Sequence, residues 1–277
     1  MLELYNNTCQ ECSRLITHRY STSFSLGIRV FDPRFRTPVY AIYGFVRFAD
    51  EIVDTFHGYP KAALLQRFRQ DTYDAIESGI SLNPVLNAFQ EVVNRYGIER
   101  ELIDAFLDSM EMDLHHHIYG KGLYERYIYG SAEVVGLMCL RVFCEGDDAM
   151  FERLKAPAQS LGAAFQKINF LRDLKSDFDE RGRIYFPDVD FDNFTQEDKV
   201  RIEQEIKQDF DDALVGILAL PSGARFGVYL AYVYYLNLFK KIRRTAAAKV
   251  KEQRIRVHNG KKIYLLFSSA VRLSLHA

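Results

Sequence analysis

Arg47-Phe48-Ala49-Asp50-Glu51-Ile52-Val53-Asp54 and, over a hundred residues later, Asn169-Phe170-Leu171-Arg172-Asp173-Leu174-Lys175-Ser176-Asp177 read as two versions of one device. Each sets two aspartates four positions apart. On a helix such residues share a face, and like charges at that spacing destabilise it by a few tenths of a kcal/mol. Something positive is therefore expected to compensate. Hard divalent cations take oxygen ligands, and Mg²⁺ in particular is held by one or two carboxylates while phosphates and water complete its octahedron. Two such helices facing each other would grip a metal-diphosphate from both sides.

A solvated face is the plain alternative for either pair, and the neighbours argue against it. Phe45, Val46, Phe48, Ala49, Ile52 and Val53 make the first segment too apolar for a fully exposed helix, which puts its carboxylates in a cleft or cavity. The second segment adds Gln166 and Asn169, which with Asp173 and Asp177 follow a spacing of three, four and four. All four polar groups then lie on one stripe.

The chain has 277 residues, 48% of them hydrophobic, enough for a sizeable core. No Pro/Gly/Ser-rich linker or low-complexity tract divides it, so residues 1–277 read as one domain. Formal net charge is −1, which points neither to nucleic acid nor to an acidic partner. The amino terminus carries Glu3 and no long apolar run, against a secretory signal peptide, and the expected location is cytoplasmic. Residues 263–275 are apolar in places, but Arg272 interrupts them and they fall short of a membrane span. Four cysteines suit a reducing compartment, and Cys9-x-x-Cys12 has no matching second pair to complete a zinc site.

Long segments of 3.6-residue period dominate, which predicts an all-α protein. Helices are expected at about 3–19, 37–57, 60–78, 83–96, 99–117, 122–144, 148–178, 196–219, 224–248 and 258–274. Breaks at Asp32-Pro33, Asn83-Pro84, Gly97 and Pro221-Ser222-Gly223 agree with helix-terminus chemistry. The aromatic segment Gly182 to Asp192 reads as an extended loop that folds back over something. His115-His116-His117 cannot ligate one ion, because adjacent helical positions point about 100° apart, and a helix end near solvent is expected there.

These residues resemble the squalene/phytoene synthase family almost end to end. Ser21-Thr22-Ser23-Phe24 is similar to the family's Ser-x-Ser-Phe, and Tyr43 leads into Arg47-x-x-Asp50-Glu51-x-x-Asp54, the first aspartate-rich motif. Met112-Asp113-Leu114 and the stretch from Tyr127 to Leu137 resemble its central helices. Gln166-x-x-Asn169-x-Leu171-Arg172-Asp173-x-x-x-Asp177, followed by Arg181-Gly182-Arg183-Ile184-Tyr185-Phe186-Pro187, resembles the second motif. Two positions depart: Tyr20 stands where the family has His, and Ala132-Glu133 where it has Ala-Gly. Glu133 either reshapes the cavity wall or points away from it.

The resemblance implies a single-domain all-α isoprenoid-synthase bundle with a central apolar cavity capped by the two motifs. It implies head-to-head joining of two prenyl diphosphates: loss of one diphosphate, attack of the second substrate's double bond, proton loss to a cyclopropylcarbinyl diphosphate, then a second ionisation to the 1-1′ hydrocarbon. The metal would be Mg²⁺, or Mn²⁺ in its place, on Asp50, Asp54, Asn169, Asp173 and Asp177. Tyr43 and Arg47 join those aspartates as catalytic candidates, while Ser21, Ser23, Phe24, Tyr129, Gln166, Asn169, Arg172, Tyr235 and Arg254 are the substrate-binding ones. Tyr43, Tyr129 and Tyr235 are expected to present ring faces to the cations.

The wording of the second motif looks most like phytoene synthases, which join two geranylgeranyl diphosphates without NADPH. Squalene or dehydrosqualene formation from farnesyl diphosphate is the rival. Some relatives of this fold are non-catalytic membrane-associated assembly factors, which lack the intact aspartate pairs this chain keeps. The run Lys240, Lys241, Arg243, Arg244, Lys249, Lys251, Arg254, Arg256, Lys261 and Lys262 suits peripheral contact with lipid headgroups. A nucleic-acid reading of that run has no supporting fold motif. Oligomeric state is not legible in the sequence.

Overall fold

Asp32-Pro33 shows how the chain is punctuated. The Asp32 carboxylate accepts a hydrogen bond from the Arg34 amide (3.1 Å), and Pro33 takes the first helical position, where its missing N–H costs nothing. Asn83-Pro84 repeats the device, with the Asn83 side chain accepting from Val85 N (3.0 Å). Thr195 and Asp198 cap each other reciprocally, and Asp147 accepts from Met150 N at 2.8 Å.

In the computed structural model, residues 1–115, 118–252 and 254–255 are described, and these form an all-α bundle. In chain order the helices are α1 (Leu2–Tyr20), α2 (Thr22–Arg29), α3 (Pro33–Asp54), α4 (Lys61–Ser78), α5 (Pro84–Tyr96), α6 (Arg100–His115), α7 (Lys121–Ile128), α8 (Val134–Cys144), α9 (Asp148–Arg181), α10 (Gln196–Ala219), α11 (Ser222–Arg243) and α12 (Ala247–Glu252). One turn of π-helix, Tyr129–Glu133, joins α7 to α8.

Most expected helices appear within a few residues. Three differences have physical causes. Residues 22–29 form a helix because Ser21 caps it, its hydroxyl accepting from Phe24 N at 3.2 Å, although eight residues give little periodicity to read. The helix expected over 122–144 is broken by the π-turn, which no local composition marks. The helix expected over 224–248 stops at Arg243, and a separate short helix resumes at Ala247. His116, His117, the expected helix at 258–274 and the basic residues Arg256, Lys261 and Lys262 lie outside the described residues. His115 ends α6 and is exposed, as the reading of that run anticipates.

Two hydrophobic clusters make the interior. One joins α1, α3, α5, α6 and α8 around Phe45, whose ring stacks on Phe89 at 3.9 Å and meets Phe106 at 5.4 Å. The other joins α7, α9, α10 and α11 around residues such as Ile168, Ile206, Phe210 and Ile242. Lys121–Cys144 is apolar and long enough to cross a membrane, yet over half of its most apolar window is buried among the other helices. Phe45→Ala is expected to cost about 3–5 kcal/mol, since it empties a fully buried ring site. Urea unfolding should show a lower midpoint at unchanged slope.

Candidate active site

Between the two clusters runs an apolar cavity of about 390 Å³. Its walls come from α2, α3, α8, α9, α10 and α11, and its polar groups gather at one end: Ser21, Gln166, Asn169 and Arg172, with the ring of Tyr235. The carbonyl oxygen of the Asn169 side chain accepts from the Tyr235 hydroxyl (3.3 Å), and its amide nitrogen donates to Gln166 Oε1 (3.4 Å). Phe165 stacks on Tyr235 at 3.9 Å, and Phe24 packs on Tyr43 at 5.2 Å.

The aspartates of both motifs stand at this end, and Asp50, Asp54 and Asp173 each lie against a guanidinium. Arg47 donates to Asp50 (2.5 Å) and also pairs with Glu51. Arg172 folds back onto its neighbour Asp173 (2.5 Å), which its long side chain permits although adjacent helical positions diverge. Arg254, from beyond α12, reaches the same carboxylate at 2.8 Å. Arg183 donates to Asp54 at 2.9 Å, while its backbone N–H donates to the Asp177 carbonyl at 2.9 Å. One residue thus touches both motifs.

Arg183 is fixed by a buried network that sequence reading did not single out. Its guanidinium also donates to the Asp113 carbonyl (2.9 Å) and lies 3.5 Å from the Asp113 carboxylate. That carboxylate accepts from the hydroxyls of Tyr119 (3.1 Å), Tyr127 (2.7 Å) and Tyr185 (3.1 Å). Burial pushes the Asp113 carboxyl up, with Arg183 and the Tyr127 hydroxyl opposing the shift. The available signal was Met112-Asp113-Leu114, where Asp113 stands between two apolar residues on α6.

The segment after α9 folds back as its aromatics suggest. Gly182 adopts a left-handed conformation (φ 63°) that ends α9, and Tyr119 N donates to Ile184 O at 3.2 Å. Tyr185 and Phe186 are buried, and Phe191 stacks on Phe178 at 3.9 Å.

Not every candidate lies at the cavity. Tyr129 sits in the π-turn and packs against the first hydrophobic cluster, outside the cavity lining, because its neighbours Ser131 and Ala132 take the wall positions. Tyr43 meets the site through Phe24 and Ser21 rather than as a lining residue; burial raises its hydroxyl pKa, Arg47 and the Ser21 hydrogen bond oppose the rise, and the nearby Asp50 and Tyr235 add to it. Ser21, Phe24, Gln166, Asn169, Arg172 and Tyr235 do line the cavity. Ser23 lies on α2, and its side chain falls outside the described residues. The departures resolve individually. The Tyr20 ring lies under the Arg47 guanidinium at 4.3 Å, a cation–π contact that steadies it. Glu133 points away from the cavity and accepts from Gln159 Nε2 at 2.9 Å.

Among the described residues, no three Cys, His, Asp or Glu side chains converge to form a cage. The aspartates of the two motifs offer oxygen donors alone, without the Cys and His ligands that tetrahedral zinc favours. Such a donor set fits magnesium, which takes one or two carboxylates and leaves its other positions to phosphate and water. Asp50, Asp54, Asp173 and Asp177 could each contribute, and the arginines beside them match phosphate oxygens bidentately.

A family model described as squalene/phytoene synthase matches residues 17–261. Phytoene synthase 1 of Solanum lycopersicum is 27% identical over 87% of this chain, which spans 61% of that protein's length. The phytoene synthase of Arthrospira platensis is 28% identical, with 96% of this chain and 97% of that protein covered. In fold, the chain is similar to a crystal structure of a dehydrosqualene synthase in complex with ligand: TM-score 0.81, 22% identity, 97% of this chain and 98% of that one.

Replacing Arg183 with Gln should destabilise the protein by about 3–5 kcal/mol, because it leaves the Asp113 carboxylate buried without its countercharge. Tyr119→Phe, which removes one hydroxyl of three, should cost about 1 kcal/mol. Thermal melting of both variants checks the order.

Proposed function

The chain belongs to the squalene/phytoene synthase family, whose members are prenyltransferases, and we propose from that membership that it joins two geranylgeranyl diphosphates head to head to give phytoene. The observation that carries the reading is the coincidence of a long apolar cavity with two arginine-paired aspartate motifs at one end of it. The likeness to phytoene synthases over nearly the whole chain favours the C20 substrate.

Magnesium held by Asp50, Asp54, Asp173 and Asp177, with Asn169 beside them, would neutralise the diphosphate oxygens and so improve the leaving group. Arg47, Arg172 and Arg254 supply positive charge in the same place, each able to exchange its carboxylate partner for a phosphate oxygen. The first substrate loses diphosphate, the double bond of the second attacks the allylic cation, and a proton leaves to close the cyclopropane. The second diphosphate then leaves, and rearrangement with loss of another proton gives the hydrocarbon. Phe24, Phe165 and Tyr235 offer ring faces beside the arginines, each worth on the order of 1–2 kcal/mol to a desolvated cation. The apolar walls keep water from quenching it.

Farnesyl diphosphate, giving dehydrosqualene, or squalene where NADPH is used, is the second reading. The fold likeness to a dehydrosqualene synthase favours it. We place the reaction in the cytoplasm. There the basic residues Lys240, Lys241, Arg243, Arg244, Lys249 and Lys251 suit peripheral contact with anionic lipid, into which an insoluble product can pass.

Purified protein given Mg²⁺ and either diphosphate, with and without NADPH, should yield a C40 hydrocarbon from the C20 substrate and no dependence on NADPH. A C30 product alone, by mass analysis, would replace the first reading with the second. Asp50→Asn and Asp173→Asn should each lower turnover by about 10²-fold or more while costing no more than about 1 kcal/mol of metal-free stability, the scale of the part-exposed arginine pairs they weaken. A loss of several kcal/mol in both variants would make these carboxylates structural.

A further inference from the structure

We propose that Phe31 is the chain-length stop of the cavity and that Gly227 holds it there by having no side chain. This rests on the prenyl diphosphate reading above and names what sets the length of substrate taken.

The cavity has a polar end and an apolar end. On α9 its lining runs from Arg172 back to Leu154, 18 residues (172 − 154) or about 27 Å at the helical rise. On α2 it runs from Ser21 to Phe31, just past the helix, and on α11 from Tyr235 back to Gly227. Phe31, Phe143, Leu154 and Gly227 are therefore the lining residues farthest along their elements from the aspartates.

At that end the Phe31 ring fills the place of a side chain on Gly227. A Cβ there would lie 2.3 Å from Phe31 Cε1, 2.4 Å from Cδ1 and 2.9 Å from the Gly27 carbonyl oxygen. On another side the ring meets Phe143 (5.3 Å between centroids), itself braced by Phe35 at 5.5 Å. The backbone cannot yield easily. Phe31 N donates to Ile28 O (3.1 Å), Arg36 Nε donates to Phe31 O (2.8 Å), and Asp32 N donates to Gly223 O (2.8 Å). With its backbone tied and Phe143 on one side, a ring displaced from Gly227 stays among the residues that line the cavity.

Phe31→Ala should lengthen the cavity, and Gly227→Ala should shorten it by driving the ring inward. Phe31→Leu/Gly227→Ala should restore near-native length, as expected for two coupled residues. Each protein would be given equal C15, C20 and C25 prenyl diphosphates with Mg²⁺, and the hydrocarbons weighed by mass spectrometry. Binding of the non-ionisable thiodiphosphates of the same lengths, by calorimetry, gives a readout that needs no turnover. Phe31→Ala should raise the C20:C15 preference by about tenfold or more, the scale of pocket changes of a few methylenes, and Gly227→Ala should lower it.

An unchanged C20:C15 binding ratio, within about twofold, in Phe31→Ala that melts as a folded protein overturns the proposal. If that variant does not fold, Phe31→Leu and Gly227→Ala carry the same criterion. A wild-type protein that makes no hydrocarbon, with the binding ratio still shifting in the variants, upholds the length stop and removes the condensation reading. Hydrocarbon from all variants in one unchanged length distribution does the reverse.

Discussion

Carboxylates crowded at the mouth of an apolar cavity repel one another, and much of the structure supplies the countercharge they need. Four arginines do this from four places: Arg47 within α3, Arg172 within α9, Arg183 in the loop behind α9, and Arg254 after α12. A guanidinium is always charged, weakly hydrated and shaped for two oxygens, so it can sit against a carboxylate or a phosphate at similar cost. The positions of the loop and of Arg254 are thereby tied to the charge at the mouth.

The aspartate spacing, the apolar neighbours and the helix-ending dipeptides were readable because each is a local pattern. A period of 3.6 residues needs no knowledge of the rest of the chain, and the resulting helices stand close to where the pattern puts them. What was not readable is relational. Asp113 on α6 looks no different from its neighbour Glu111 until Tyr119, Tyr127, Tyr185 and Arg183 arrive around it. Tyr129 looked like a cavity residue by position in a motif, but the π-turn rotates the following wall positions onto Ser131 and Ala132.

The two departures from the family pattern illustrate the same limit. Tyr20 lies outside the quoted motifs and yet supports Arg47 from below with its ring, half exposed and half against the guanidinium. Glu133, a charge in a largely apolar neighbourhood, is accommodated by an amide on α9 rather than by the cavity; burial raises its carboxyl pKa, against which the Gln159 hydrogen bond acts. Neither outcome follows from residue type. Both follow from which helix happens to face the position.

The cavity lies at a seam, with lining residues drawn from two hydrophobic clusters and neither cluster closed over it. A hole inside one core is bounded by the side chains that line it, and its size changes only when they do. A gap between two cores is also bounded by how those cores lean on each other. Substitutions far from any lining residue, in the α9–α10 or α3–α8 contacts, can widen or narrow it by a slight tilt of whole helices. Under the proposed reading, substrate length would be inherited partly through architecture, which gives evolution a continuous dial alongside the stepwise one of side-chain size.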